Sequence, residues 1–139
     1  MNITEKVYLK AETARILNVK NAYINRVMSI KQKGKIMINI NVLRENDAIR
    51  SVVATGHASP GKRSDQICSG VSALMYTLAM SLSDMKRVGV SVVDNDEGLS
   101  VEIIRGHSKN DAQVAINTVM CGLKSISDLY PHSVRIRSN

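Results

Sequence analysis

Residues 49–86 read IRSVVATGHASPGKRSDQICSGVSALMYTLAMSLSDMK, and three textures follow one another within them. Ile49 to Thr55 is a short run of β-branched and small residues that fits a strand. From Gly56, His57 and Ala58 through Ser59, Pro60, Gly61, Lys62, Arg63 and Ser64 the residues favour turns, so an exposed and mobile loop is expected there. From Asp65 to Lys86 the apolar positions Ile67, Val71, Leu74, Met75, Leu78, Leu82 and Met85 recur at steps of three and four, which predicts a long amphipathic helix with Asp65 as its N-cap. This order sets a histidine at a strand end and Cys68 near a helix start.

Upstream of that stretch, Ile36, Ile38, Ile40 and Val42 alternate with Met37, Asn39 and Asn41, the period of a half-buried strand, and Glu45-Asn46-Asp47 turns the chain into the next one. Downstream, Val88, Val90 and Val92 alternate, Asp94-Asn95-Asp96-Glu97-Gly98 makes a turn, and Leu99, Val101 and Ile103 alternate again as a hairpin. Ala112, Ile116, Val119, Met120, Leu123 and Ile126 predict a second helix from about Asn110 to Leu129, capped by Ser108 or Asn110 and ended by Pro131. Val134 and Ile136, spaced by Arg135 and Arg137, close with a short strand. The expected fold is α/β, an α+β sandwich of one mixed β-sheet and two long helices in the order β-β-α-β-β-α-β.

The charge divides the chain. Residues 1–36 hold eight Lys/Arg against two acids, whereas residues 37–139 hold eleven against ten, so nearly all of the net +7 belongs to a basic N-terminal extension. Two domains are therefore expected, 1–35 and 36–139. Within the extension, residues 8–19 followed by Ala22, Tyr23, Ile24, Asn25 and Arg26 have the pattern of a helix-turn-helix core, and a single amphipathic basic helix or a disordered tail would read the same way.

Several function classes are set aside by composition. With 44% hydrophobic residues in 139 the chain can build one core, yet it has no run of eighteen apolar residues and no apolar stretch at its start, so neither a membrane span nor a secretory leader is expected and a cytoplasmic location is. Phe and Trp are absent, and Tyr8, Tyr23, Tyr76 and Tyr130 are scattered, which removes the stacking platforms of single-strand nucleic acid binders. Two cysteines and three histidines, His57, His107 and His132, show no zinc-ligand spacing.

Chemistry therefore concentrates on Cys68. At a helix start the unpaired N–H groups and the positive end of the macrodipole favour thiolate, the nucleophilic form of cysteine. His57 is the natural base, because a Gly before it and a loop after it let the chain fold back on the sulfur. The bland readings stand beside this one: a Cys in a helix beside Ala and Val is often a small buried hydrophobe, a strand-end His a loop residue, and Asp65 a plain cap. Cys121 falls on the less apolar side of the second helix, suited to exposure or a subunit contact.

Gly56-His57-Ala58, Gly61, Asp65-Gln66-Ile67-Cys68 and Val71-Ser72-Ala73-Leu74 together resemble the signature of the ribosomal-processing cysteine protease (Prp) family. Asn110-Asp111-Ala112-Gln113, Tyr130 and Val134-Arg135-Ile136 resemble it too, so the similarity spans about residues 37–139. The resemblance implies a homodimeric sandwich and a Cys-His dyad of Cys68 and His57. It further implies endoproteolysis of the short N-terminal extension of a large-subunit ribosomal protein, with viral capsid or scaffold precursors as a related substrate class. Asp65 falls at a motif position whose role is capping, loop ordering or histidine orientation, and Gly56 and Ala58 to Ser64 form the substrate loop. No metal or organic cofactor is implied. The competing class is a non-catalytic module that meets nucleic acid or the ribosome through its basic arm.

Overall fold

A computed structural model describes residues 36–139 of the protein. The extension and its helix-turn-helix pattern lie outside the described residues. The elements are β1 (Ile38–Glu45), β2 (Ala48–Thr55), α1 (Ser64–Ser83), β3 (Gly89–Asn95), β4 (Gly98–Arg105), α2 (Asn110–Leu129) and β5 (Val134–Ser138). They form one mixed five-stranded sheet in the order β3-β4-β2-β1-β5, with β1 and β5 parallel and every other pair antiparallel. The expected order and fold class are thus what the chain adopts.

Local chemistry explains the turns. Asn46 and Asp47 both take positive φ, 51° and 64°, the mirror-image turn whose twist suits a two-residue hairpin between β1 and β2. The β3–β4 turn is folded by Asn95, whose Oδ1 accepts from the N–H groups of Glu97 and Gly98 at 3.0 and 3.2 Å. A register shift after Leu43 sets Arg44 opposite Ile49, and the Gln113 amide of α2 binds Ile49 there. Gln113 Oε1 accepts from Ile49 N–H and its Nε2 donates to Ile49 O, both at 2.9 Å, while the same Nε2 donates to the His107 carbonyl. One side chain from the helix thus occupies both backbone groups of a strand residue.

The core lies between the sheet and the two helices. Ile40, Val52, Val101 and Ile103 on the strands meet Met75, Leu78 and Leu82 of α1 and Ile116 and Leu123 of α2, all at 0–1% exposure. The helices pack closely because two glycines face apolar side chains. A Cβ on Gly122 would come to 2.9 Å from Leu74, and one on Gly70 to 3.3 Å from Ile126.

The structure shifts some boundaries. Strand β1 begins at Ile38, and Ile36, expected among its inward residues, is 63% exposed. Val92, expected to face inward with Val88 and Val90, is 41% exposed beside the edge of the sheet. Neither helix uses the expected cap. Arg63 holds the N-cap position of α1 and Lys109 that of α2, each without a side-chain cap bond, and Asp65 is inside the first turn instead of before it. The turn of Ser64 onto the Gly61 carbonyl, at 3.3 Å from its N–H and 3.0 Å from its Oγ, starts the helix two residues early and displaces Asp65 inward. In α2, Asp111 bonds the N–H of Ala112, the very next residue, and so caps nothing further on.

Candidate active site

Strand β2 ends at Thr55 because Gly56 turns the chain at φ +87°, a conformation that disfavours any side chain. Space forbids one as well, since a Cβ there would meet the Met37 carbonyl oxygen at 2.3 Å. The turn delivers His57, exposed, and Ala58, buried at 5%. The N–H of Ala58 donates to Cys68 Sγ at 3.5 Å, so the strand end and the helix meet at the sulfur.

The rest of the loop is held at three places. Ser59 Oγ donates to the Ile36 carbonyl at 2.6 Å, Ser64 turns onto Gly61, and Arg63 Nη1 donates to the Tyr130 hydroxyl at 3.2 Å. Tyr130, the C-cap of α2, thereby anchors the residue at the N-cap of α1.

Because α1 begins at Ser64, Cys68 opens its second turn and not its first. Helical side chains lean toward the N-terminus, so its Sγ still lies over the first turn, where the unpaired N–H groups are. Cys68 is half-buried, and Cys121 is exposed on α2.

Cys68 and His57 line one cleft of about 170 Å³. Gly56 lines it too, but Asp65 and residues 58 to 64 do not form its wall. On α1 the cleft continues from Cys68 through Ser72 to Tyr76, three residues spaced by four on one helix face. Opposite them stands the β3–β4 turn, from Asp94 to Gly98. The Tyr76 hydroxyl donates to Asp94 Oδ2 across the cleft. That hydrogen bond, with some desolvation and the carboxylate charge, raises the phenol above its ordinary value of 10.0. The sequence does not mark Tyr76 and Asp94 as site residues, and Ser72 enters there only within the Val71-Ser72-Ala73-Leu74 resemblance. The i, i+4, i+8 spacing from Cys68 was the available signal for the helix side, whereas the turn comes near only through the strand order.

Among the described residues no group of three or more His, Cys, Asp or Glu side chains is placed to hold a metal ion. No helix among them is long and apolar enough to cross a membrane. His107 is half-buried and gives its carbonyl to Gln113, and His132 is exposed.

Residues 37–135 match the family model described as cysteine protease Prp. Among solved structures the fold is similar to SMU.848 from Streptococcus mutans, with 25% sequence identity over 73% of this chain and 96% of that one and a TM-score of 0.66. It is similar as well to the ribosomal processing protease Prp from S. aureus in complex with a substrate peptide, with 18% identity, 74% of this chain, 100% of that one and a TM-score of 0.67. The S. aureus protease with a covalently linked product peptide gives 19% identity, 74% and 100% coverage and a TM-score of 0.67. No curated protein matches the sequence.

Proposed function

The chain belongs to the cysteine protease Prp family, and we propose that it cleaves its substrate with a dyad of Cys68 and His57. The substrate is the precursor of a large-subunit ribosomal protein, or a related phage structural precursor, from which a short N-terminal extension is removed in the cytoplasm by a homodimer. The observation that carries this reading is that His57 and Cys68, eleven residues apart in sequence, line the same cleft.

In the proposed reaction His57 takes the Cys68 proton and the thiolate attacks the scissile carbonyl carbon. The tetrahedral intermediate collapses as imidazolium returns the proton to the leaving amine, which departs and leaves a thioester. Water, deprotonated by His57, attacks that thioester, the C–S bond breaks, and the acid product leaves as the thiol is restored. The Ala58 N–H, already donating to Sγ, favours the thiolate at each stage where the sulfur carries charge. The unpaired N–H groups at the start of α1 add to it. Asp65, acidic and exposed in that first turn, steadies the helix start, and the loop from Ala58 to Ser64 closes over bound substrate.

The test is incubation with the ribosomal protein precursor of the host and mass analysis of the products. Cleavage near the precursor N-terminus that disappears in Cys68→Ala supports the reading, and an intact precursor at high enzyme overturns the assigned substrate.

A further inference from the structure

The cleft does not end at the dyad. From Cys68 to Tyr76 is eight residues of helix, or about 12 Å along its axis. An extended peptide advances about 3.3 Å per residue, so a substrate whose scissile carbonyl sits at Cys68 and whose chain follows the cleft brings its third or fourth residue to Tyr76. Asp94 is bound there by the Tyr76 hydroxyl, in a wall that also holds Asp96 and Glu97 of the same turn and the apolar Ile38, Ala54 and Val71. No Lys or Arg lines it at any point.

We propose that Tyr76 and Asp94 are specificity determinants that form the far end of the substrate cleft and select a lysine or arginine three or four residues from the scissile bond. This rests on the proteolytic reading of the same cleft. The side chain that folds the turn carrying the acids is Asn95, through the N–H groups of Glu97 and Gly98, and the carboxylates of Asp96 and Glu97 take no part in those bonds. Asp94 accepts from the Tyr76 hydroxyl, a neutral donor on an exposed side chain. An ammonium or guanidinium is a charge-assisted donor and replaces a phenol readily. The carboxylates of Asp96 and Glu97, which pair with no cation among the described residues, add to the field that such a side chain meets. Displacing Tyr76 from Asp94 also frees its ring to lie along the stem of the incoming residue. A substrate with an acid at that position meets three carboxylates instead, and rejection of the wrong charge contributes to selectivity as much as attraction of the right one.

The experiment uses the full chain and a series of neutral, largely apolar peptides of about a dozen residues, in which one Lys, Gln or Glu is stepped through every position. Two readouts are taken: cleavage by the native protein, followed by mass analysis, and binding to Cys68→Ala, followed at low salt. We expect the Lys peptide to exceed the Glu peptide by about fivefold or more at one position three or four residues from the bond. In binding, the same advantage is expected at one position of the peptide. Asp94→Lys should reverse the order in both readouts, and Tyr76→Phe should keep or sharpen it. Cleavage with no position-dependent charge preference, or a preference that Asp94→Lys leaves unchanged, overturns the specificity assignment and leaves the protease reading intact. Charge-selective binding that depends on Asp94, without cleavage of any peptide, supports the selective end of the cleft and counts against the dyad. Neither binding nor cleavage by any peptide overturns both.

Discussion

The backbone N–H of Ala58 donates to Cys68 Sγ, so the residue that follows the proposed base holds the proposed nucleophile. The histidine and the thiol are thus tied by the chain itself, and any movement of the strand end is felt at the sulfur. A thiolate accepts that bond more strongly than a thiol does.

Cys68→Ser and Cys68→Ala are expected to fold as the native protein does and to lower cleavage by at least about a thousandfold. Cys121→Ser, exposed on α2, should keep full activity. Alkylation at neutral pH should favour half-buried Cys68 over exposed Cys121, against the order of exposure, and His57→Ala should narrow that gap. Equal loss of activity from both cysteine substitutions would sink the assignment of Cys68 as sole nucleophile.

Gly56→Ala carries two penalties, a positive φ and a Cβ at 2.3 Å from the Met37 carbonyl oxygen. A loss of about 2 kcal/mol or more in denaturant unfolding is expected. Cleavage should fall further than stability does when assayed well below the midpoint, because the same turn sets His57 in the cleft. Native stability in this variant would contradict the backbone geometry.

Gln113→Leu leaves the N–H and C=O of Ile49 without their side-chain partner, at an expected cost of about 2 kcal/mol. Gln113→Glu keeps the acceptor and sets a carboxylate against the carbonyls of Ile49 and His107. The folded state then favours the protonated carboxyl, so the carboxyl titrates higher folded than unfolded. The variant should be closest to native stability at acid pH and lose ground as pH rises through the carboxyl range. Unfolding of the two variants at several pH values checks this, and a pH-independent difference would contradict it.

Tyr76 should titrate above 10.0, with the Asp94 hydrogen bond as the main cause. Its folded value is raised, so whatever the bond adds to stability is present below 10.0 and is lost as pH climbs through the higher folded value. Spectrophotometric titration of the native protein against Tyr76→Phe isolates this group among the four tyrosines. In Asp94→Asn its midpoint should move back toward the ordinary one, and an unmoved midpoint would break the link between the two residues.

The fold was readable because period-2 runs such as Ile38, Ile40 and Val42 and the three-and-four spacing from Ile67 to Leu82 report which faces are buried, and burial is what the fold satisfies. Helix starts were not readable in the same way. Asp65 and Ser108 are good caps by residue type, yet a backbone turn onto Gly61 and an uncapped Lys109 decide the boundaries. For the site, His57 and Cys68 could be singled out because strand end, loop and helix start bring them near through local chain alone. Asp94 could not, since it reaches Tyr76 only after β3 pairs with β4 and β4 with β2, a pairing that depends on the whole sheet.

Ser59 Oγ is bound to the carbonyl of Ile36, and Gly56 lies against that of Met37, so both flanks of His57 lean on the two residues that precede β1. Ile36 stands just ahead of the stretch that matches the family, residues 37–135. For protein engineering this sets a boundary. A shortened chain that starts at Ile38 keeps every strand and helix of the described residues and still discards both carbonyl supports of the histidine loop, so it should fold but cleave poorly. A fusion partner or tag joined at that point would pull on the same loop, and any spacer belongs upstream of Ile36.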